Sequence, residues 1–277
     1  MRTNLLEHRY GENVTVFDSI HLNTLLTELS SKDTFQPQIN RIVRRLYSSL
    51  FSLILDRENG DKDVTVDTRM ATFTPKGTLR TKVLDDQARW VIVDLARAGM
   101  IPSEVCFDEA NEVLDATRAR IDHVFINRKV DENEQVIGTD VSGNKIGGDV
   151  EDALLLFPDP MGATGSSIAD AIGIYRDQVE GTPRKVICAH LIITPEYLRR
   201  ITTDFPDVAV YALRVDRGLS EEEVLATIPG ERWDEEKGLS RFAFSRLGRR
   251  PFPIRQLPGC RTGPIPMDRR CRSLPYW

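Results

Sequence analysis

The chain has 277 residues, a net charge of −5 and a hydrophobic content of 40%, with a pI near 5.5. That length suits one sizeable α/β domain with extensions, and the acidic balance disfavours a broad surface for nucleic acid or an anionic membrane. No run of roughly 18 apolar residues appears, Glu7 and Arg9 stand where a secretory leader would be apolar, and Cys106, Cys188, Cys260 and Cys271 lack C-x-x-C spacing, so a cytoplasmic chain with free thiols is expected.

Residues 1–13 are polar and are expected to form a flexible N-terminus. Leu22, Leu25, Leu26 and Leu29 recur at helical spacing, and Ile39, Ile42, Val43, Leu46, Leu50, Leu53 and Ile54 continue as a second amphipathic helix. Taken alone, these residues predict a packing pair. Val64 to Thr68 alternates like a strand, and Arg69 to Thr81 reads as a turn-rich excursion. Trp90 to Leu95 predicts a buried strand, closed by Ala96-Arg97-Ala98-Gly99. A guanidinium binds oxyanions in a bidentate manner, although an arginine beside a glycine is ordinarily a surface residue.

Glu109 to Arg120 predicts a helix, and Ile121 to Ile126 a strand that runs into Asn127-Arg128-Lys129. The polar stretch 131–149 is either a mobile hairpin or a surface loop. Ala153 to Phe157 is short, continuous and apolar, as a parallel strand buried on both faces must be. It stops at Pro158-Asp159-Pro160, and Met161-Gly162-Ala163-Thr164-Gly165-Ser166-Ser167 leads into the helical spacing of Ile168 to Ile172. Strand, small-residue loop and helix in that order put the loop at the carboxyl edge of a parallel sheet. The glycines let amides approach a ligand, amides at a helix start form an anion pocket, and the hydroxyls suit phosphate oxygens. Asp159 is placed to accept from sugar hydroxyls or to approach a phosphate-bound cation. The spacing is neither a P-loop nor G-x-G-x-x-G, and on spacing alone an ordinary strand-to-helix turn fits as well.

Lys185 to Ile193 predicts another buried strand, Leu198 and Ile201 a helix after Thr194-Pro195-Glu196, and Phe205 to Asp216 a last strand. His190, on an apolar strand, reads as a satisfied core histidine. From Arg241 to Trp277 prolines and arginines crowd in without helix or strand period, so 241–277 is expected to be a disordered tail.

D-P-M-G-A-T-G-S-S resembles the phosphoribosyl-pyrophosphate loop of type I phosphoribosyltransferases, and among them the uracil phosphoribosyltransferase family, whose loop reads D-P-M-L-A-T-G-G-S. Gly162 stands in place of a larger apolar residue and Ser166 in place of glycine. His21, Leu25-Leu26-Thr27-Glu28-Leu29 and Thr34 look like that family's N-terminal arm, and the similarity runs over about 14 to 230. It implies an α/β type I phosphoribosyltransferase fold: a mostly parallel central sheet flanked by helices, with an N-terminal helical arm, in a domain spanning 14–240. It further implies transfer of the phosphoribosyl group of 5-phosphoribosyl 1-pyrophosphate to uracil, giving UMP and pyrophosphate with Mg2+. The substrate loop would be Asp159, Pro160, Met161, Gly162, Ala163, Thr164, Gly165, Ser166 and Ser167, with Arg97 and Arg128 on the pyrophosphate and Asp159, Arg97 and Arg128 as the catalytic set. Uracil would meet Ile228, Gly230 and Asp234. No nucleic acid or membrane partner is implied, and a homo-oligomer is. Glu231-Arg232-Trp233-Asp234 stands where the family has L-G-D after I-P-G, which keeps open a non-catalytic binder of phosphoribosyl pyrophosphate or nucleotide with an incomplete base site.

Overall fold

The structure is a computed structural model that describes residues 4–130, 136–218 and 220–232; side chains of residue 4 and of 127–130 and 136–140 lie outside that description. The mostly parallel sheet contains β1 (Asn4–Leu5), β2 (Val14–Asp18), β5 (Trp90–Ala96), β6 (Ala119–Val130), β7 (Val136–Lys145), β8 (Leu154–Pro158), β9 (Met161–Gly162), β10 (Lys185–Ile193) and β11 (Ala209–Val215). Its order is β1-β2-β11-β10-β8-β5-β6-β7, with β9 pairing onto β10. Every pair from β2 to β6 is parallel, while β1 and β7 are antiparallel edges. Elsewhere β3 (Asp61–Asp67) and β4 (Thr78–Leu84) form a separate two-stranded hairpin.

Alternation in the central strands sorts the core into two layers. Trp90, Ile92, Leu154, Leu156 and Ile187 face α1 (Ile20–Ser30), α2 (Gln38–Glu58) and α3 (Met100–Val113). Val91, Val93, Leu155, Phe157 and Cys188 face α4 (Ser166–Gln178) and α5 (Pro195–Asp204). Because both faces are covered, β8 is buried along its whole length, and each such leucine contributes about 1.5–3 kcal/mol on burial. The long helix α2 buries Leu46, Tyr47, Leu50, Phe51 and Ile54 completely. Ser19 caps α1 by accepting from the Leu22 amide, and Thr194 caps α5 by accepting from the Tyr197 amide, with Pro195 in its first turn.

Several expectations shift. The helix expected over Glu109 to Arg120 starts at Met100 and ends at Val113, and Ala119–Arg120 already belong to β6. Helix α3 packs on β5 and β6, so tertiary contact sets its start where the periodicity was weak. The excursion 69–81 closes the β3–β4 hairpin through a short 3-10 turn at Arg69–Thr72. Residues 4–10 are tied down rather than loose: Asn4 and Leu5 pair with β2, the Leu6 amide donates to Val16 O, and Tyr10 is buried. The tail 241–277 lies outside the described residues. Among the described residues, no helix is long and apolar enough to cross a membrane.

Candidate active site

The loop predicted to bind phosphate leaves the carboxyl end of β8, in the middle of the sheet, and enters α4. It does not hang free. Strand β10 runs past the end of β8 and carries the loop: the Asp159 amide donates to Ala189 O at 3.1 Å, and the Leu191 and Ile192 amides both donate to Pro160 O at 3.1 Å. Further along, the Thr194 amide donates to Gly162 O at 2.9 Å and its hydroxyl to Ala163 O at 2.5 Å. Met161 and Gly162 thereby become β9, a short parallel extension beside Ile192 and Ile193. Thr194 thus has two tasks, capping α5 and holding the loop. Its position before Pro-Glu was legible in the sequence; its contact with Ala163 was not.

Asp159 is half-buried and bends the chain, its Oδ1 accepting from the Met161 amide at 3.1 Å. Gly165 adopts φ +76°, a left-handed conformation that side chains resist, and its carbonyl accepts the first helical bond from Ala169. The turn delivers Ser166 and Ser167 to the start of α4, where amides and the helix dipole favour an anion. The Thr164 and Ser166 hydroxyls lie 3.3 Å apart. Arg200 of α5, which sequence reasoning did not single out, donates from Nη1 to Ser166 Oγ at 2.9 Å. Nearly two helical turns beyond α5's cap, that guanidinium adds positive charge beside the hydroxyls.

Arg97 follows β5, the strand next to β8. The register pairs Ile92 with Leu156, so Arg97 stands just past the sheet edge from which Asp159 also emerges. Its side chain is exposed, it makes no ion pair with a described residue, and the Ala96–Arg97 peptide is cis. Asp94, two residues before that peptide, is buried, and its Oδ2 lies 2.8 Å from His123 Nδ1 on β6. Burial raises the Asp94 carboxyl above its ordinary range, against the lowering effect of the His123 hydrogen bond. The pairing satisfies Oδ2, while Oδ1 is buried without a hydrogen-bond partner among the described residues. Arg128 lies on β6, paired with Thr139 of β7; its side chain, like all of Asp234, is outside the description.

Of the residues expected to meet uracil, Ile228 and Gly230 are described and Asp234 is not. Gly230 has φ +82°, and a Cβ there would lie 2.8 Å from the Tyr10 ring and 2.9 Å from the Arg9 carbonyl carbon. The Arg9 amide also donates to Pro229 O at 2.7 Å. Pro229 and Gly230 therefore pack against the N-terminal segment at Arg9 and Tyr10.

Beneath the loop, burial pushes His190 down to about 4, so it is neutral, as a satisfied core histidine should be. Burial likewise pushes the Cys188 thiol up to about 12, and Cys106 is raised for the same reason; neither is a poised nucleophile. Among the described residues no group of three or more His, Cys, Asp or Glu side chains is arranged to hold a metal.

Comparison with known proteins places this geometry. The family model for uracil phosphoribosyltransferase matches residues 16–231. The uracil phosphoribosyltransferase of Acidovorax ebreus is 27% identical over 223 residues, covering 79% of this chain and 93% of that one. That of Oceanobacillus iheyensis is 28% identical over 218 residues, covering 79% and 93%. Among solved structures, the AQ2163 protein from Aquifex aeolicus superposes with a TM-score of 0.57 at 20% identity, covering 73% of this chain and 87% of that one.

Proposed function

Because the chain belongs to the uracil phosphoribosyltransferase family, we propose that it transfers the phosphoribosyl group of 5-phosphoribosyl 1-pyrophosphate to uracil, releasing UMP and pyrophosphate. The observation that carries this reading is the loop Asp159 to Ser167, hung from β10 at the carboxyl edge of β8 and turned by Gly165 into the start of α4.

The chemistry asks for positioning and charge rather than a protein nucleophile. The Thr164–Ser167 amides and hydroxyls hold the 5-phosphate, orienting the sugar. Arg97 and Arg128 neutralise the departing pyrophosphate, which is electrostatic stabilisation of the transition state. Asp159 faces the sugar and stabilises the positive charge that develops as the bond to pyrophosphate breaks. Mg2+ fits this donor set as a cation carried on substrate oxygens, since among the described residues no group of three or more His, Cys, Asp or Glu is arranged to hold it; magnesium ordinarily takes one or two carboxylates plus substrate phosphates. Bound there, with Asp159 in reach, it would draw charge from the leaving group.

For the base we assign Ile228 and Asp234, in the segment after β11. Gly230, also expected there, has its Cβ direction filled by Tyr10, so its part is to let that segment pass against the N-terminal arm. A homo-oligomer is supported by the β3–β4 hairpin, which exposes Val66, Leu79 and Val83 on one face with Met70 and Phe73 at its tip; a two-stranded hairpin is marginal in water unless something covers it.

The test is UMP formation from labelled uracil, preceded by calorimetric titration with phosphoribosyl pyrophosphate. Binding and turnover are expected. Binding of phosphoribosyl pyrophosphate with no UMP formed would leave a binding protein, and absence of both would end the reading.

A further inference from the structure

Under the loop lies a polar group that the transfer chemistry does not touch. His190 of β10 is fully buried. Its Nδ1 is 2.6 Å from the carbonyl oxygen of Asp159, and its Nε2 is 2.6 Å from the hydroxyl of Tyr197. A carbonyl can only accept, so Nδ1 carries the proton and Nε2 accepts from the tyrosine O–H. One tautomer satisfies both partners, and turning the ring would break both bonds.

Tyr197, on the first turn of α5, is also fully buried. Its hydroxyl is hydrogen-bonded with the Cys188 side chain, and its ring meets the imidazole edge-on, with centroids 4.6 Å apart. The same ring lies 2.8 Å from where a Cβ on Gly162 would be. One tyrosine therefore supports the histidine and lies against the loop strand β9.

The other end of the Asp159 residue is held as firmly. Its amide donates to Ala189 O, which also accepts from the Tyr47 hydroxyl at 3.0 Å. Both peptide groups flanking the Asp159 Cα are thus anchored from below, and rotation about that residue is closed off. Packing alone does not ask for this. Three buried polar side chains cost more than apolar ones of equal size unless each is satisfied, whereas a catalytic carboxylate gains from being held before the charge appears.

We propose that His190 and Tyr197 are positioning residues for the phosphoribosyl transfer: the imidazole holds the Asp159 carbonyl, Tyr197 holds the imidazole, and together they aim the Asp159 carboxylate at the sugar. This rests on the reading that Asp159 faces the sugar cation. A misplacement of about 1 Å at such a group is enough for a loss on the order of 100-fold. The phosphates are gripped by Thr164–Ser167 and the arginines, so the loss falls on kcat and not on KM for phosphoribosyl pyrophosphate.

The experiment compares initial rates of UMP formation for the wild type, Tyr197→Phe, His190→Leu and His190→Asn, normalised to folded protein by circular dichroism. Tyr197→Phe keeps the ring and removes the hydroxyl; His190→Asn restores an N–H donor near the position of Nδ1. Expected are kcat losses of about 10- to 100-fold for Tyr197→Phe and His190→Leu with KM for phosphoribosyl pyrophosphate within about threefold, and recovery of most of kcat in His190→Asn. Lowered melting temperatures with kcat per folded molecule unchanged would overturn the proposal and leave the network purely structural. If His190→Leu fails to fold, Tyr197→Phe decides alone. A wild type without turnover retires the catalytic reading and this proposal together; an active wild type with an indifferent Tyr197→Phe retires only the proposal.

Discussion

A Cβ on Gly162 would lie 2.8 Å from Cδ2 of Tyr197 and 2.9 Å from its Cγ, so the loop and α5 compete for one slot, which the tyrosine fills. This accounts for the glycine at a position where the resembling loop carries a larger apolar residue.

The slot predicts a coupled pair. Gly162→Leu overpacks the site and is expected to cost about 1–3 kcal/mol or more, read as a lowered urea midpoint. Adding Tyr197→Ala should return part of that loss, giving a coupling energy of about 0.5–3 kcal/mol between contacting sites. Additive losses would show that the two side chains do not share space.

Asp159→Asn keeps the size of the side chain and an oxygen able to accept from the Met161 amide, but removes the charge. The melting temperature is expected to stay within a few degrees while kcat falls about 100- to 1000-fold, the range seen when one preorganised electrostatic group is removed. Unchanged turnover would take the sugar-facing role from this residue.

Arg97→Ala removes a charge-assisted contact worth about 1.5–3 kcal/mol, so KM for phosphoribosyl pyrophosphate should rise by roughly 10- to 100-fold. Inhibition by pyrophosphate should weaken in step, while UMP affinity, which depends on the other end of the site, stays put. Arg97→Lys should recover little, because a point charge does not reproduce a fork of donors.

Acid sensitivity should trace to His190. Its folded pKa of about 4 lies below its ordinary 6.5, so the unfolded chain takes up a proton that the folded chain refuses. Stability from this group is complete above about pH 6.5 and is lost as pH falls toward 4, worth about 3 kcal/mol at 1.36 kcal/mol per pH unit. Urea unfolding of the wild type from pH 7.5 to 4.5 should show that slope, and His190→Asn should flatten it. Asp149, held down to about 2 chiefly by its hydrogen bond to Arg89, contributes stability that is lost only below pH 4, outside this window.

If the β3–β4 hairpin is covered by a second copy of the chain, charging its cross-strand pair Val66 and Leu79 should shift the protein to a smaller species by light scattering. A wild type already monomeric at working concentration would remove the basis for that assembly.

Local order was readable from the amino acids because it depends on neighbours along the chain. The leucine and phenylalanine run of β8, the glycine needed at a left-handed turn, the serines starting α4 and the Thr-Pro start of α5 each announce themselves within a few residues. These short-range rules were enough to predict the strand–loop–helix unit and to place it at a sheet edge. They did not find where α3 begins, because its start follows from packing on β5 and β6, or what Asp94 pairs with inside a buried strand, because its partner His123 is 29 residues away. Nor did they show that His190 and Tyr197 brace Asp159, that Arg200 reaches Ser166, or that Gly230 packs on Tyr10. Contacts of that kind join residues brought together by strand order and register, and a one-dimensional pattern holds no record of which strands lie side by side.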